Sequence, residues 1–355
     1  LATHLPQDSG KEQGTGMRWR LLFALIGLSI TGVSSLGQRP PEAEGLPPQR
    51  RDSGDGEELH ADYFKPSGVV RFQLVQARIC LDAPRHRKGS QSRTENQIYE
   101  SITVTANRGI PSVHYICETP QQSITLHVQD AQHLRIESHI SDDGNGTAQR
   151  CVLDQPETGM ITLAIGDLTS ESAQSYQSSN LLHLRLQTPE IFDKHFARVI
   201  SRMLHGESLK HLSERTLQAV IAESRQPIVL NQQQVEALIQ QLDHPQRRKR
   251  VQAERELLSH GTSILPMLHQ SLDHDRLSVE QRSCIKAILS RLRPTTPDRP
   301  ASLAKMLIND ASYWEAVIPE LSFVQREIAD ARFTSLGCET TFISNPAPKA
   351  RLSER

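Results

Sequence analysis

Three side chains in one short stretch offer metal chemistry: His127, Asp130 and His133. Two imidazoles and a carboxylate are ordinary ligands of a divalent metal such as zinc, which asks for N and O donors at about 2.0–2.2 Å. They become neighbours only if the surrounding residues form a hairpin. Ile124, Leu126 and Val128 alternate with polar residues, as do Leu134 and Ile136. Burying both apolar sets on one face sets Leu126 against Leu134 and Ile124 against Ile136, around the loop Gln129-Asp130-Ala131. His127 then faces His133 across the solvent side, Thr125 faces Arg135, and Asp130 or His139 supplies a third ligand. Exposed strand histidines are more often simply solvated, so the pairing and the metal are separate expectations.

Other candidate chemistry is sparse. Ser141-Asp142-Asp143-Gly144-Asn145-Gly146 resembles the start of a calcium loop of the EF-hand type, with Asp143, Asn145 and Gly146 at the third, fifth and sixth positions. Ser141 and Val152 fall where the strongest carboxylate ligands belong, and the flanks read as strands, so a glycine-rich turn is expected. Asn145-Gly146-Thr147 is formally a glycosylation acceptor. Cys80, Cys117 and Cys151 lie in the same region. An oxidising compartment would let two of them pair; three small buried residues are the alternative. There is no CxxC pair, GxSxG elbow, HExxH helix, GxGxxG turn or P-loop, so no catalytic residue and no cofactor is expected. Arg247-Arg248-Lys249-Arg250 lacks neighbouring aromatics and further basic clusters, which favours a solvated helix entry over nucleic acid.

The chain is near neutral, with 40 basic against 41 acidic residues, so no global field points to a polyanion. Its length suits about two domains. Met17-Arg18-Trp19-Arg20 supplies a basic start, the run from Leu21 to Val33 an apolar core, and Ser35-Leu36-Gly37 small residues before Gln38. That order is a secretory signal peptide. Its apolar core is shorter than the about 20 residues that span a bilayer. The alternative is an anchor in the membrane through residues 21–36. The organisation expected is an over-extended start at 1–16, a signal peptide at 17–37 and a disordered Pro- and Gly-rich linker at 38–68. A β-rich domain at 69–187, a helical domain at 188–337 and a disordered tail at 338–355 follow.

The β-rich reading rests on period-two alternation: Ile102 and Val104; Val113, Tyr115 and Cys117; Ile124 to Ile136; Ile161, Leu163 and Ile165; Leu182, Leu184 and Leu186. Val70, Phe72 and Leu74 change phase to Val75, Ala77, Ile79 and Leu81, which predicts a bulge near Leu74. Arg85 to Asn96 is basic and serine-rich and reads as a long loop. About seven or eight strands suit an antiparallel sandwich or small barrel, so the fold class is α+β.

At Thr188 the period lengthens. Thr188 is a plausible N-cap with Pro189 after it, and Phe192, Phe196, Val199, Ile200 and Met203 recur on one helical face. Leu217, Val220 and Ile221 continue, then Val235, Leu238, Ile239 and Leu242. VQAERELLSHGTSILPMLHQSLDHD reads as two helices joined at Gly261, with Ala253 and Leu257 on one and Pro266, Leu268 and Leu272 on the other. A looser copy, LSVEQRSCIKAILSRL, follows, and Leu242-Asp243-His244 is echoed by Leu272-Asp273-His274. Residues 235–292 thus resemble a HEAT-type helical repeat, which implies stacked helix pairs and protein partners. A third partial unit runs from Pro319 to Gly337. So few repeats point to a compact bundle of about six short helices instead of a long solenoid.

The function expected is an exported protein-interaction or scaffold protein of the cell envelope, periplasmic or secreted, with protein partners and no nucleic acid. A hydrolase-like enzyme with a site between the two halves and a metal- or glycan-binding β-module are the alternatives. Converging carboxylates or a Ser-His pair in a cleft would favour the enzyme, and an unbroken apolar patch the interaction protein.

Overall fold

The alternation along residues 98–165 becomes one antiparallel meander. In the computed structural model, which describes residues 63–64, 68–82, 88–141, 149–166, 174–224 and 232–336, a hairpin comes first: β1 (Phe72–Val75) and β2 (Arg78–Leu81). Then come β3 (Gly89–Glu95), β4 (Ile98–Asn107), β5 (Ile110–Glu118), β6 (Gln122–Gln129), β7 (His133–Ile140), β8 (Gln149–Gln155), β9 (Ile161–Ile165) and β10 (Gln174–Ser178). These eight pair in strict chain order from β3 at one edge to β10 at the other. Ten α-helices follow: α1 (Leu181–Gln187), α2 (Pro189–Met203), α3 (Leu209–Glu223), α4 (Gln232–Gln241), α5 (Arg247–Ser259), α6 (Leu265–Leu272), α7 (Val279–Leu292), α8 (Pro300–Leu307), α9 (Ala311–Val317) and α10 (Phe323–Ser335). All described residues belong to one unit of the chain, Asp55–Arg355. The start at 1–16, the signal segment 17–37, the interior of the calcium-like loop with Asn145, and the tail 338–355 lie outside the described residues.

The sheet has one covered and one open face, the usual arrangement for antiparallel strands. Ile102, Val104, Val113, Tyr115, Leu126, Ile136, Leu153 and Leu163 are buried together. Helix α2 lies over them with the expected stripe of Phe192, Phe196, Val199, Ile200 and Met203 fully enclosed. One apolar cluster runs from Tyr63 to Leu336 through sheet and helices alike. At its far side a buried ion pair fastens α2 to the sheet: Arg202 Nη1 lies 2.8 Å from Glu100, and the Tyr115 hydroxyl donates to the same carboxylate at 2.6 Å.

Several expectations need correction. The sheet does not close, since β3 and β10 remain its edges; helices, not a second large sheet, cover its buried face. Leu182, Leu184 and Leu186 belong to helix α1, where Leu181 to Leu186 are all buried, so alternation there reports no face. Asn180 starts that helix by accepting the His183 N–H at 2.9 Å. The phase change near Leu74 is a turn, not a bulge. Gln76 and Ala77 both sit at positive φ (57° and 52°), and Asp298 holds them by accepting their N–H groups at 2.9 and 2.6 Å. Part of the expected loop at 85–96 is edge strand β3, whose residues bury nothing and leave no periodic signal. Within the expected linker 38–68, Tyr63 and Phe64 are buried, Phe64 edge-on to Tyr115 at 5.0 Å. Cys117 and Cys151 stand on β5 and β8 with two strands between, about 14 Å at 4.7–4.9 Å per strand, too far to bridge. With Cys80 they are buried free thiols.

Candidate functional site

The turn between β8 and β9 meets helix α6, and several hydrogen bonds from side chains to the backbone tie this seam together. Arg78, on β2, is 5 % exposed. Its guanidinium donates to three carbonyls: Nη1 to Gly159 (3.0 Å) and Ser179 (2.9 Å), and Nη2 to Pro156 (2.6 Å). Burial lowers its pKa to about 10. Gln155 braces the same strand by exchanging two hydrogen bonds with the backbone of Ile79. The Gly159 N–H donates to Nδ1 of His269 on α6 at 3.1 Å. Burial holds that imidazole well below its usual pKa, so it is neutral and carries its proton on Nε2. Asp273, just past α6, accepts the Met160 N–H at 3.2 Å. Gly159 is at φ +94°, and a Cβ there would meet Asp273 Oδ1 at 3.0 Å, so both the turn and the approach need glycine.

This seam is a wall with a cleft on each side. One cleft, about 430 Å³, is bounded by Met160, the β10–α1 segment, α6 and the start of α9. Ser179, His183 and Asp310 form its buried floor, and Gln177, Gln187, Gln270 and Glu315 its exposed rim. Asp310 caps α9, accepting the Tyr313 N–H at 3.2 Å. Burial raises its carboxyl to about 6, while backbone N–H groups and the Ser179 hydroxyl pull the other way. His183 is driven down to about 4 by burial and accepts the Gln187 amide N–H at Nε2, 3.1 Å. The floor therefore holds a neutral imidazole and a carboxyl that titrates near neutrality, with no cation among the described lining residues. The other cleft, about 110 Å³, lies between the β1–β2 hairpin and the end of α7.

A second histidine–serine contact lies under α2. Ser138 Oγ is 2.9 Å from His195 Nδ1, and His195 Nε2 is 3.1 Å from Gln149 Oε1. Gln122 adds bonds to Ser138 Oγ and to the His195 carbonyl. Both side chains are fully buried, and desolvation takes His195 down to about 4. A nucleophile needs access, so this network fastens helix to sheet.

The metal candidates do not converge. The β6–β7 register pairs Gln129 with His133 and His127 with Arg135, Leu126 with Ile136 and Val128 with Leu134. The loop has the expected odd length, but it is Asp130-Ala131-Gln132, one residue later. Asp130 and Ala131 take positive φ, and the Gln132 N–H closes onto the Gln129 carbonyl at 3.1 Å. The faces are kept and every partner moves. His127 instead faces His114 on β5, the rings stacked with centroids 4.2 Å apart. His133 bonds Asp154 at 2.9 Å, and His139 pairs with Ser123 and Arg150. Among the described residues no three His, Cys, Asp or Glu side chains gather as metal ligands do.

Sequence reasoning missed Ser179, His183, Asp310 and Glu315. Asn180 and Asp310 are legible as N-caps, but the cleft joins segments far apart in the chain. No protein-family model, curated protein or solved structure matches the chain.

Proposed function

We propose that the chain is an exported, non-catalytic binding protein of the cell envelope whose working site is the larger cleft. The observation that carries this reading is the lining: two carboxylates, three primary amides and a neutral imidazole, with no cation among the described residues. Such a surface offers acceptors to a donor-rich small molecule, an amine or a polyol, and its volume falls in the roughly 300–1,000 Å³ range of small-ligand sites. The cleft's polar groups are held by the protein's own backbone and amides, which keeps them in place for binding. Among the described residues no serine of this cleft bonds a histidine. The sheet and the repeat-like helix pairs of residues 235–292 act as the scaffold, in keeping with the HEAT-type resemblance and with docking of protein partners. No helix among the described residues is long and apolar enough to cross a membrane.

The hydrolase-like reading draws support from one feature, a carboxyl near neutrality beside a neutral imidazole in the same cleft. Calorimetric titration of the chain with putrescine and with glucose separates the readings. Saturable binding that Gln270→Leu and Glu315→Gln abolish supports the binding protein. No binding of either probe, or turnover of p-nitrophenyl ester or glycoside substrates lost in Asp310→Asn, overturns it. Export is tested by sequencing the mature N-terminus. A start at Gln38 is expected, and a start at Leu1 or Met17 removes the signal peptide.

A further inference from the structure

We propose that the smaller cleft, between the β1–β2 hairpin and the end of α7, binds a small tetrahedral oxyanion, phosphate or sulfate, through Arg78, Lys286 and Arg293. The three cations line a space of about 110 Å³ in which Glu157 is the one carboxylate among the described residues. That volume is well below the roughly 300 Å³ at which small-molecule sites begin, so it admits one compact ion and no sugar or nucleotide.

No carboxylate among the described residues pairs directly with these cations: Arg78, Lys286 and Arg293 form no ion pair, and neither does Glu157 on the rim. Two carboxylates stand nearby without pairing with them: Asp273, exposed, accepts the Met160 N–H, and Asp298, half-buried, accepts the N–H groups of Gln76 and Ala77. Arg78 is the decisive group. Three carbonyls cage it, but carbonyl dipoles bring no net negative charge, and among the described residues no acceptor meets its Nε. A buried cation ordinarily carries a counter-charge. Here Arg293 adds a second positive charge, its Nη2 resting 2.9 Å from Cys80 Sγ for want of a better acceptor. The neutral His269 on the same lining brings no charge. A dianion with four oxygens meets the guanidinium forks and the ammonium together.

Sodium sulfate and inorganic phosphate are the probes, titrated into the full chain at constant ionic strength set with chloride. One saturable site and a rise in melting temperature above the chloride control are expected. Lys286→Gln and Arg293→Gln, both at exposed positions that leave the fold intact, should each weaken binding at least ten-fold. Lys305→Gln on α8 should leave it unchanged. Bound sulfate should also slow alkylation of Cys80 by iodoacetamide, followed by peptide mass. Absence of saturable binding, equal stabilisation by chloride, binding unmoved in both variants, or unchanged Cys80 alkylation at saturating sulfate would each overturn the site.

Discussion

The two clefts stand on either side of one wall and carry opposite charge. Arg78 reaches through it, with a carbonyl of the larger cleft's floor (Ser179) and two of the β8–β9 turn on its nitrogens. On the larger side the charged floor group, Asp310, is met by N–H and O–H donors of the chain itself. On the smaller side the hydrogen-bond acceptors that Arg78 and Arg293 meet among the described residues are neutral. A buried polar group with its own partners preserves shape, and one without a counter-charge specifies what must come from outside. The same seam does both.

The comparison can be broken at the frame first. Truncating Phe196 to Ala, in the enclosed stripe of α2, should cost about 3–5 kcal/mol by urea denaturation. A loss below about 1 kcal/mol would mean that the frame under both clefts is not held by this stripe. The wall comes next. Arg78→Met leaves three buried carbonyls without their donor and should cost on the order of 3 kcal/mol, at about 1–3 for each unsatisfied group less the relief of unburying a charge. If the clefts share this wall, amide signals of Ser179 and Gly159 should both shift in the variant.

Asp298→Ala frees the Gln76–Ala77 turn, and a cost of about 2 kcal/mol is expected from two orphaned N–H groups. Burial raises this carboxyl from 3.8 to about 6. The native state then binds the proton more tightly than the unfolded chain, so the group's contribution falls as pH rises across that window. Asp298→Asn should flatten that part of the stability–pH curve. The charge contrast itself depends on pH in one cleft alone. Asp310 takes up a proton below about 6, so putrescine affinity should fall about ten-fold from pH 7 to pH 5. Sulfate, a dianion throughout, should keep its affinity in the smaller cleft. Equal pH dependence of the two ligands would erase the distinction. The baseline is the open sheet face, where His127→Ala should change stability by less than about 0.5 kcal/mol and leave zinc content unaltered.

Much of the frame was legible in residue order. Alternation at Ile102 to Ile165 reported an antiparallel sheet because each strand has one wet face, and the stripe from Phe192 to Met203 reported α2 for the same reason. Where burial is two-sided, as from Leu181 to Leu186, or absent, as along β3, the period carries no information, and those elements were misread. The hairpin parity around Asp130 followed from the apolar pattern. Its register did not, since a shift of two residues keeps every side chain on its face while changing the neighbour of His127 from His133 to Arg135.

What sequence by itself determined, then, is the run of alternating strands from Ile102 to Ile165, the helix from Phe192 to Met203 and which of their faces turn inward, because apolar periodicity is a local property. Tertiary structure alone decided the turn at Gln76 and Ala77, whose left-handed backbone is held by a carboxylate 221 and 222 positions away. It also decided the two clefts, which gather residues from β2, the β8–β9 turn, α1, α6, α7 and α9. Charge and hydrogen bonding act through space, and no spacing along the chain encodes that Arg78, Gly159 and His269 meet.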